Sequence, residues 1–66
     1  MEIHVNGEAR QVAEGARVAD LVQAAGLQPG LCAVAVNLDF VPRTAYATTT
    51  LQPGDRVEIV TPRQGG

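Results

Sequence analysis

The plainest chemistry in the chain lies in Gly65-Gly66. A carboxylate on a glycine pair carries no side chain beside it, takes any backbone angle and can thread a narrow channel. A carboxylate alone is a poor electrophile, but a partner enzyme that joins it to AMP from ATP gives it a good leaving group. The competing reading is a frayed terminus, where disorder ordinarily collects. Other reactive groups are sparse. There is one Cys, one His and no Ser, so a Ser-based triad is impossible and a Cys32–His4 pair would stand without a third member. Cys32 has no charged residue beside it in sequence to activate it, and reads as a small apolar residue at the edge of a strand. One Cys and one His leave no cysteine framework and no His pair, so no metal site is expected. No Gly-rich phosphate loop is present. All five basic residues are Arg, so no Lys side chain can accept an acyl group. This inventory suits a substrate or carrier rather than an enzyme, with no cofactor bound by the chain itself.

The elements that would position these groups must be few. The chain has 66 residues, 45% of them hydrophobic and 18% charged. A domain of this size buries about 60% of the surface its unfolded chain exposes, enough for one small core. The longest apolar stretch, Leu31 to Val36, is far below the ~20 residues of a membrane span. Glu2 and Asn6-Gly7-Glu8 break any early apolar run, so no secretory signal is expected. The single cysteine fits a cytoplasmic setting. The net charge of −2 and pI near 5.0 show no basic patch, which argues against nucleic acid as a direct partner.

Ile3 and Val5 alternate with His4 and Asn6 in a first strand, and Asn6-Gly7 is the strongest two-residue hairpin signal. Glu8 to Ala13 returns antiparallel. Val18, Leu21, Val22 and Ala25 follow the spacing of one helical face, which predicts a helix over about Arg17 to Ala25. Gly26 is placed for a left-handed C-terminal cap. The helix start is weakly marked: Ala16 stands where Ser, Thr, Asp or Asn is preferred, and Asp20 compensates through the helix dipole. Leu31 to Val36 reads as a central strand, with Val34 and Val36 on one face and Ala33 and Ala35 on the other. Phe40-Val41 begins a short strand limited by Pro42, Thr44 to Leu51 reads as irregular, and Arg56 to Thr61 alternates with Val57 and Ile59 inward.

One helix can cover one face of one mixed sheet. With the first and last strands side by side in its centre, four to five strands and one helix form an α+β ubiquitin-like β-grasp. The expected domain spans residues 1–61, with a flexible Gly-Gly tail over 62–66. Ala33, Ala35, Phe40 and Val60 then look away from the helix, beside the tail, where small and apolar groups suit docking on a partner. Scattered exposed apolar residues are also ordinary.

Several segments together resemble the ThiS family, the sulfur carriers of thiamine biosynthesis. They are Asn6-Gly7-Glu8, Val18-Ala19-Asp20-Leu21, Ala35 to Arg43, Gly54 to Val60 and Gly65-Gly66. The Asn37-x-x-x-Val41-Pro42-Arg43 element is the most ThiS-like, whereas the Gly54-Asp55 turn and the glycine pair are shared with related carriers such as MoaD. Pro62-Arg63-Gln64 departs from the more apolar stretch often found before the glycines. The resemblance implies that Gly66 is adenylated by an E1-like, ThiF-type enzyme using ATP and magnesium. Sulfur from a donor such as a cysteine desulfurase then replaces AMP. The resulting thiocarboxylate serves a ThiG-type thiazole synthase, and Gly65 gives the tail its room and flexibility. It further implies that the apolar sheet face docks these partners. The chain alone is expected to be a monomer without nucleic acid or membrane partners. Three alternatives stand beside this reading: a carrier for another acceptor, such as molybdopterin synthase or a tRNA thiolation enzyme; a ubiquitin-like protein modifier; and a plain interaction domain whose glycines do nothing.

Overall fold

The computed structural model describes residues 1–62. The glycine pair and most of the expected tail over 62–66 lie outside the described residues. Five strands and one α-helix follow the chain: β1 (Glu2–Val5), β2 (Glu8–Gln11), α1 (Val18–Ala24), β3 (Ala33–Val36), β4 (Asp39–Val41) and β5 (Arg56–Val60), with 3₁₀ turns at Pro29–Leu31 and Arg43–Ala45. They form one mixed sheet in the order β2-β1-β5-β3-β4. The first and last strands pair in parallel, His4 with Arg56 and Val5 with Val57, which makes the architecture a β-grasp.

The β1–β2 hairpin follows from Asn6-Gly7. Both residues have positive φ, 50° and 86°, the geometry of a type I′ turn that matches strand twist. The β3–β4 hairpin uses the same device at Asn37-Leu38, with φ of 51° and 72°. Asn tolerates the left-handed region, but Leu does so at a steric cost of about 1–2 kcal/mol.

The inward faces of the strands and one face of α1 meet in a core of Ile3, Val18, Leu21, Val22, Val34, Val41, Tyr46, Leu51 and Val57. Val57 faces in and Glu58 out, as the alternation predicts. The helix lacks a side-chain cap donated by its own flank and is started by distant chain instead. Thr49 O accepts from Val18 N at 3.0 Å, and Tyr46 O accepts from Ala19 N at 2.9 Å. Asp20 does more than complement the dipole, because its carboxylate accepts from Arg17 N at 2.9 Å. Arg17, rather than Ala16, is the N-cap. Gly26 at φ 74° closes a Schellman cap in which Leu27 N donates to Val22 O at 3.1 Å and Gly26 N to Gln23 O at 3.0 Å.

Four further readings of the sequence are corrected. The strand expected from Leu31 begins at Ala33, because Pro29 and Gly30 wind into a 3₁₀ turn that carries Leu31 outward, 56% exposed. The return strand stops at Gln11 rather than Ala13. Ala25, expected on the buried helix face, is exposed. The segment 44–51 is not merely irregular: it holds a 3₁₀ turn, the helix-starting carbonyls and two buried residues, Tyr46 and Leu51.

Leu51 is 1% exposed and its N–H donates to Ala16 O at 2.8 Å. A domain of this length holds roughly 3–10 kcal/mol in total. Leu51→Ala should cost about 2–4 kcal/mol through the cavity it opens, a large share of that reserve. Urea unfolding should show a midpoint shift of matching size with the slope unchanged.

Candidate functional site

Alternation in four strands builds the bare face of the sheet. Ala33 is opposite Val60, and Ala35 lies between Phe40 on β4 and Glu58 on β5. The two alanines are small, so the ring of Phe40 and the side chain of Val60 stand above a low shelf. Phe40 is 69% and Val60 64% exposed. The expected docking residues therefore share the face turned away from α1. Val60 is the last residue of β5, so this face adjoins the point where the chain leaves the sheet.

Leu38, which sequence reasoning missed, adds to this surface. It is 88% exposed in the strained left-handed conformation described above. With His4, Asn37, Arg56 and Glu58 it lines an open depression of about 580 Å³ at one end of the sheet. Large apolar groups on a polar-rimmed face mark interaction surfaces when they are contiguous, and backbone strain concentrates at functional positions. Nothing in the sequence distinguishes Leu38 from an ordinary turn residue. The periodicity that placed Phe40 outward stops at the hairpin tip.

The reactive side chains do not assemble. His4 Nε2 lies 3.8 Å from Glu2 Oε2 on the outer face. Cys32 Sγ lies 3.9 Å from Pro29 O and 3.9 Å from Tyr46 Oη. Cys32 and His4 therefore have separate partners, and Cys32 is a half-buried packing residue against the core. No group of three or more His, Cys, Asp or Glu among the described residues could hold a metal ion. No helix among them is long and apolar enough to cross a membrane.

Tyr46 is 4% exposed, and its hydroxyl donates to Cys32 O at 3.4 Å. Burial pushes its pKa above the usual 10, and the neighbouring Cys32 thiol adds to the rise.

A mixed five-stranded sheet covered on one face by a single helix, with an apolar face left bare beside its departing last strand, defines a ubiquitin-like β-grasp domain. The ThiS family model matches residues 3–66, and the chain belongs to the ThiS family. A crystal structure of the thiamine biosynthesis protein ThiS from Geobacter metallireducens superposes with a TM-score of 0.84 at 33% identity, covering 100% of both chains. An NMR solution structure of a thiamine biosynthesis protein from the same organism gives the same TM-score and identity over 100% of this chain and 88% of that one. Two curated relatives are named thiazole synthase. The one from Paramagnetospirillum magneticum is 35% identical over 66 residues, which is 100% of this chain and 20% of the relative. The one from Magnetococcus marinus is 35% identical over 60 residues, 91% of this chain and 18% of the relative. The chain thus spans about a fifth of the length of these curated relatives.

Raised in the fold, the Tyr46 pKa stabilises the native state fully below the ordinary value near 10. Above it the unfolded state sheds the proton first, so stability falls as pH rises toward the folded value. Tyr46→Phe should lose this alkaline decline while keeping the ring in the core. Melting curves on both sides of pH 10 check the decline. Because the chain has one Tyr, tyrosinate absorbance reports the folded pKa directly.

Proposed function

We propose that this protein is a sulfur carrier of thiamine biosynthesis, a co-substrate rather than an enzyme, whose reactive group is the Gly66 carboxylate. A carboxylate oxygen attacks the α-phosphorus of ATP in an E1-like enzyme, and pyrophosphate leaves as magnesium balances its charge. The outer sulfur of a persulfide on a donor such as a cysteine desulfurase displaces AMP to give an acyl disulfide. A second thiol then attacks the donor cysteine's sulfur, forming a disulfide with it and releasing the thiocarboxylate on Gly66. A ThiG-type thiazole synthase accepts the sulfur for the thiazole ring, and the carboxylate returns. Gly65 lets the last residues pass into a channel too narrow for side chains. Ala33, Ala35, Phe40 and Val60 form the docking face in this reading, with Leu38 at its edge.

One observation carries the choice of acceptor. Two relatives named thiazole synthase each contain, within one polypeptide, a segment 35% identical to this chain over 100% and 91% of its length. A carrier segment and a thiazole-forming enzyme on one chain gain effective concentration if they act on each other. This favours thiazole synthase over molybdopterin synthase or a tRNA thiolation enzyme.

Incubation with the activating enzyme, ATP and a sulfur donor should place one sulfur on Gly66. Exchange of oxygen for sulfur has the same nominal mass as one oxidation of Met1 or Cys32, so high mass accuracy with C-terminal fragmentation is the measurement. Deleting Gly66 should abolish charging. An adenylate that never acquires sulfur would favour the protein-modifier reading, and no change with an active cognate enzyme would overturn the proposal. Addition of thiazole synthase and its substrates should discharge the sulfur, whereas discharge by another acceptor alone would overturn the thiazole assignment.

The docking face has its own test. Phe40→Ala should weaken affinity for the activating enzyme roughly tenfold, the loss typical of truncating an aromatic anchor, with folding stability nearly unchanged because the ring is exposed. Titration calorimetry paired with thermal melts measures both.

A further inference from the structure

The β1 main chain accompanies β5 and then leaves it. His4 N donates to Asp55 O at 2.9 Å and Asn6 N to Val57 O at 2.9 Å. At Asn6 the backbone turns into the hairpin, with φ 50°. On this edge the next peptide groups of β5, at Ile59, would meet no strand. The Asn6 side chain takes the strand's place. Its Oδ1 accepts from Ile59 N at 2.9 Å, and its Nδ2 donates to Ile59 O at 3.1 Å. A carboxamide carries the same acceptor and donor as a peptide group, so one side chain extends the ladder by one unit. On the opposite edge β3 holds the end of β5 through the Ala33–Val60 pair. Among the described residues the Asn6 amide is the last hydrogen-bonded hold on β5 along the β1 edge.

We propose that Asn6 is a positioning residue for the reaction of the chain end. By fixing Ile59 it sets the direction in which the chain leaves the sheet, and so how often a carrier docked through its outer face presents its carboxylate to an enzyme's reacting atoms. The inference rests on the carrier reading above. Both bonds are exposed to solvent, so their net contribution to folding is modest. Delivery is the more sensitive quantity, because a misplacement of about 1 Å can cost a hundredfold in rate.

The rival account is that Asn6 merely permits the turn. Asn6→Gly separates the two, since Gly adopts the same positive φ and removes the carboxamide. Asn6→Asp keeps Oδ1 as an acceptor and loses the donor. A control, Thr49→Ala, deletes the Thr49 Oγ1 to Ala45 O bond of 2.7 Å, which involves neither β1 nor β5. Full-length proteins are charged by the activating enzyme with ATP and donor at a temperature where each is folded, and hydrogen exchange is read at the Ile59 amide. Asn6→Gly should lower kcat for thiocarboxylate formation roughly tenfold with KM within about twofold, and should accelerate exchange at Ile59. Asn6→Asp should fall between Asn6→Gly and the parent protein, and Thr49→Ala should keep the parent kcat. Accelerated exchange with an unchanged kcat overturns the proposal. So does a raised KM at unchanged kcat, which would make Asn6 a docking contact. Unchanged exchange in Asn6→Gly also overturns it, because the amide would then not be holding Ile59. If the parent protein is never charged, the carrier reading itself has failed, an outcome visible before any variant is compared.

Discussion

The molecule depends on keeping its last strand in the middle of the sheet. β5 is flanked by β1 in parallel and by β3 antiparallel, although each neighbour is short and must turn away. Two asparagines solve the problem in the same way. Asn6 ends β1 and reaches the peptide groups of Ile59. Asn37 ends β3 and accepts from Arg56 N at 3.0 Å, while its Nδ2 donates to Asp55 Oδ1 at 3.0 Å. Each sits at the first positive-φ position of a hairpin, where Asn is sterically tolerated and its amide is free to act beyond the turn. The turn residue and the strand clamp are one residue.

With β5 fixed, the two faces divide the work. The inner face has one helix for cover, and that helix is short enough to need help at its start. The segment 46–50 supplies it through the carbonyls of Tyr46 and Thr49, and Tyr46 and Leu51 anchor that segment in the core. No second helix among the described residues covers the outer face, which keeps Phe40, Val60 and Leu38 in solvent. A single-layer cover therefore leaves an exposed apolar surface without any added element.

Much of this was legible from residue order. The Asn6-Gly7 turn, the helical spacing from Val18 to Val22 and the alternation through Val57 and Ile59 are local signals, and each led to the observed element. The outward placement of Ala33, Ala35, Phe40 and Val60 followed from the same alternation. Non-local features stayed hidden. Ala16 looked like a defective cap because the groups that start the helix lie about thirty residues away, at Tyr46 and Thr49. Leu31 looked like strand because apolar character does not reveal the winding of Pro29-Gly30. The strain at Leu38 and the reach of Asn6 to Ile59 depend on three-dimensional register, which no periodicity encodes. The glycine pair was legible as chemistry, but the role proposed for it draws on family membership rather than on any contact among residues 1–62.

The placement of β5 also has a mechanical side. A pull along the axis of β5 meets hydrogen bonds to β1 and β3 that lie across it. Load applied in this direction is shared by both ladders at once and cannot peel them open one bond at a time. The Asn6 and Asn37 amides add rungs on opposite edges and near opposite ends of the strand. Tension along β5 is therefore met in shear by two ladders at once, and the domain behind the strand can stay folded under a load that would unzip a strand pulled from the side.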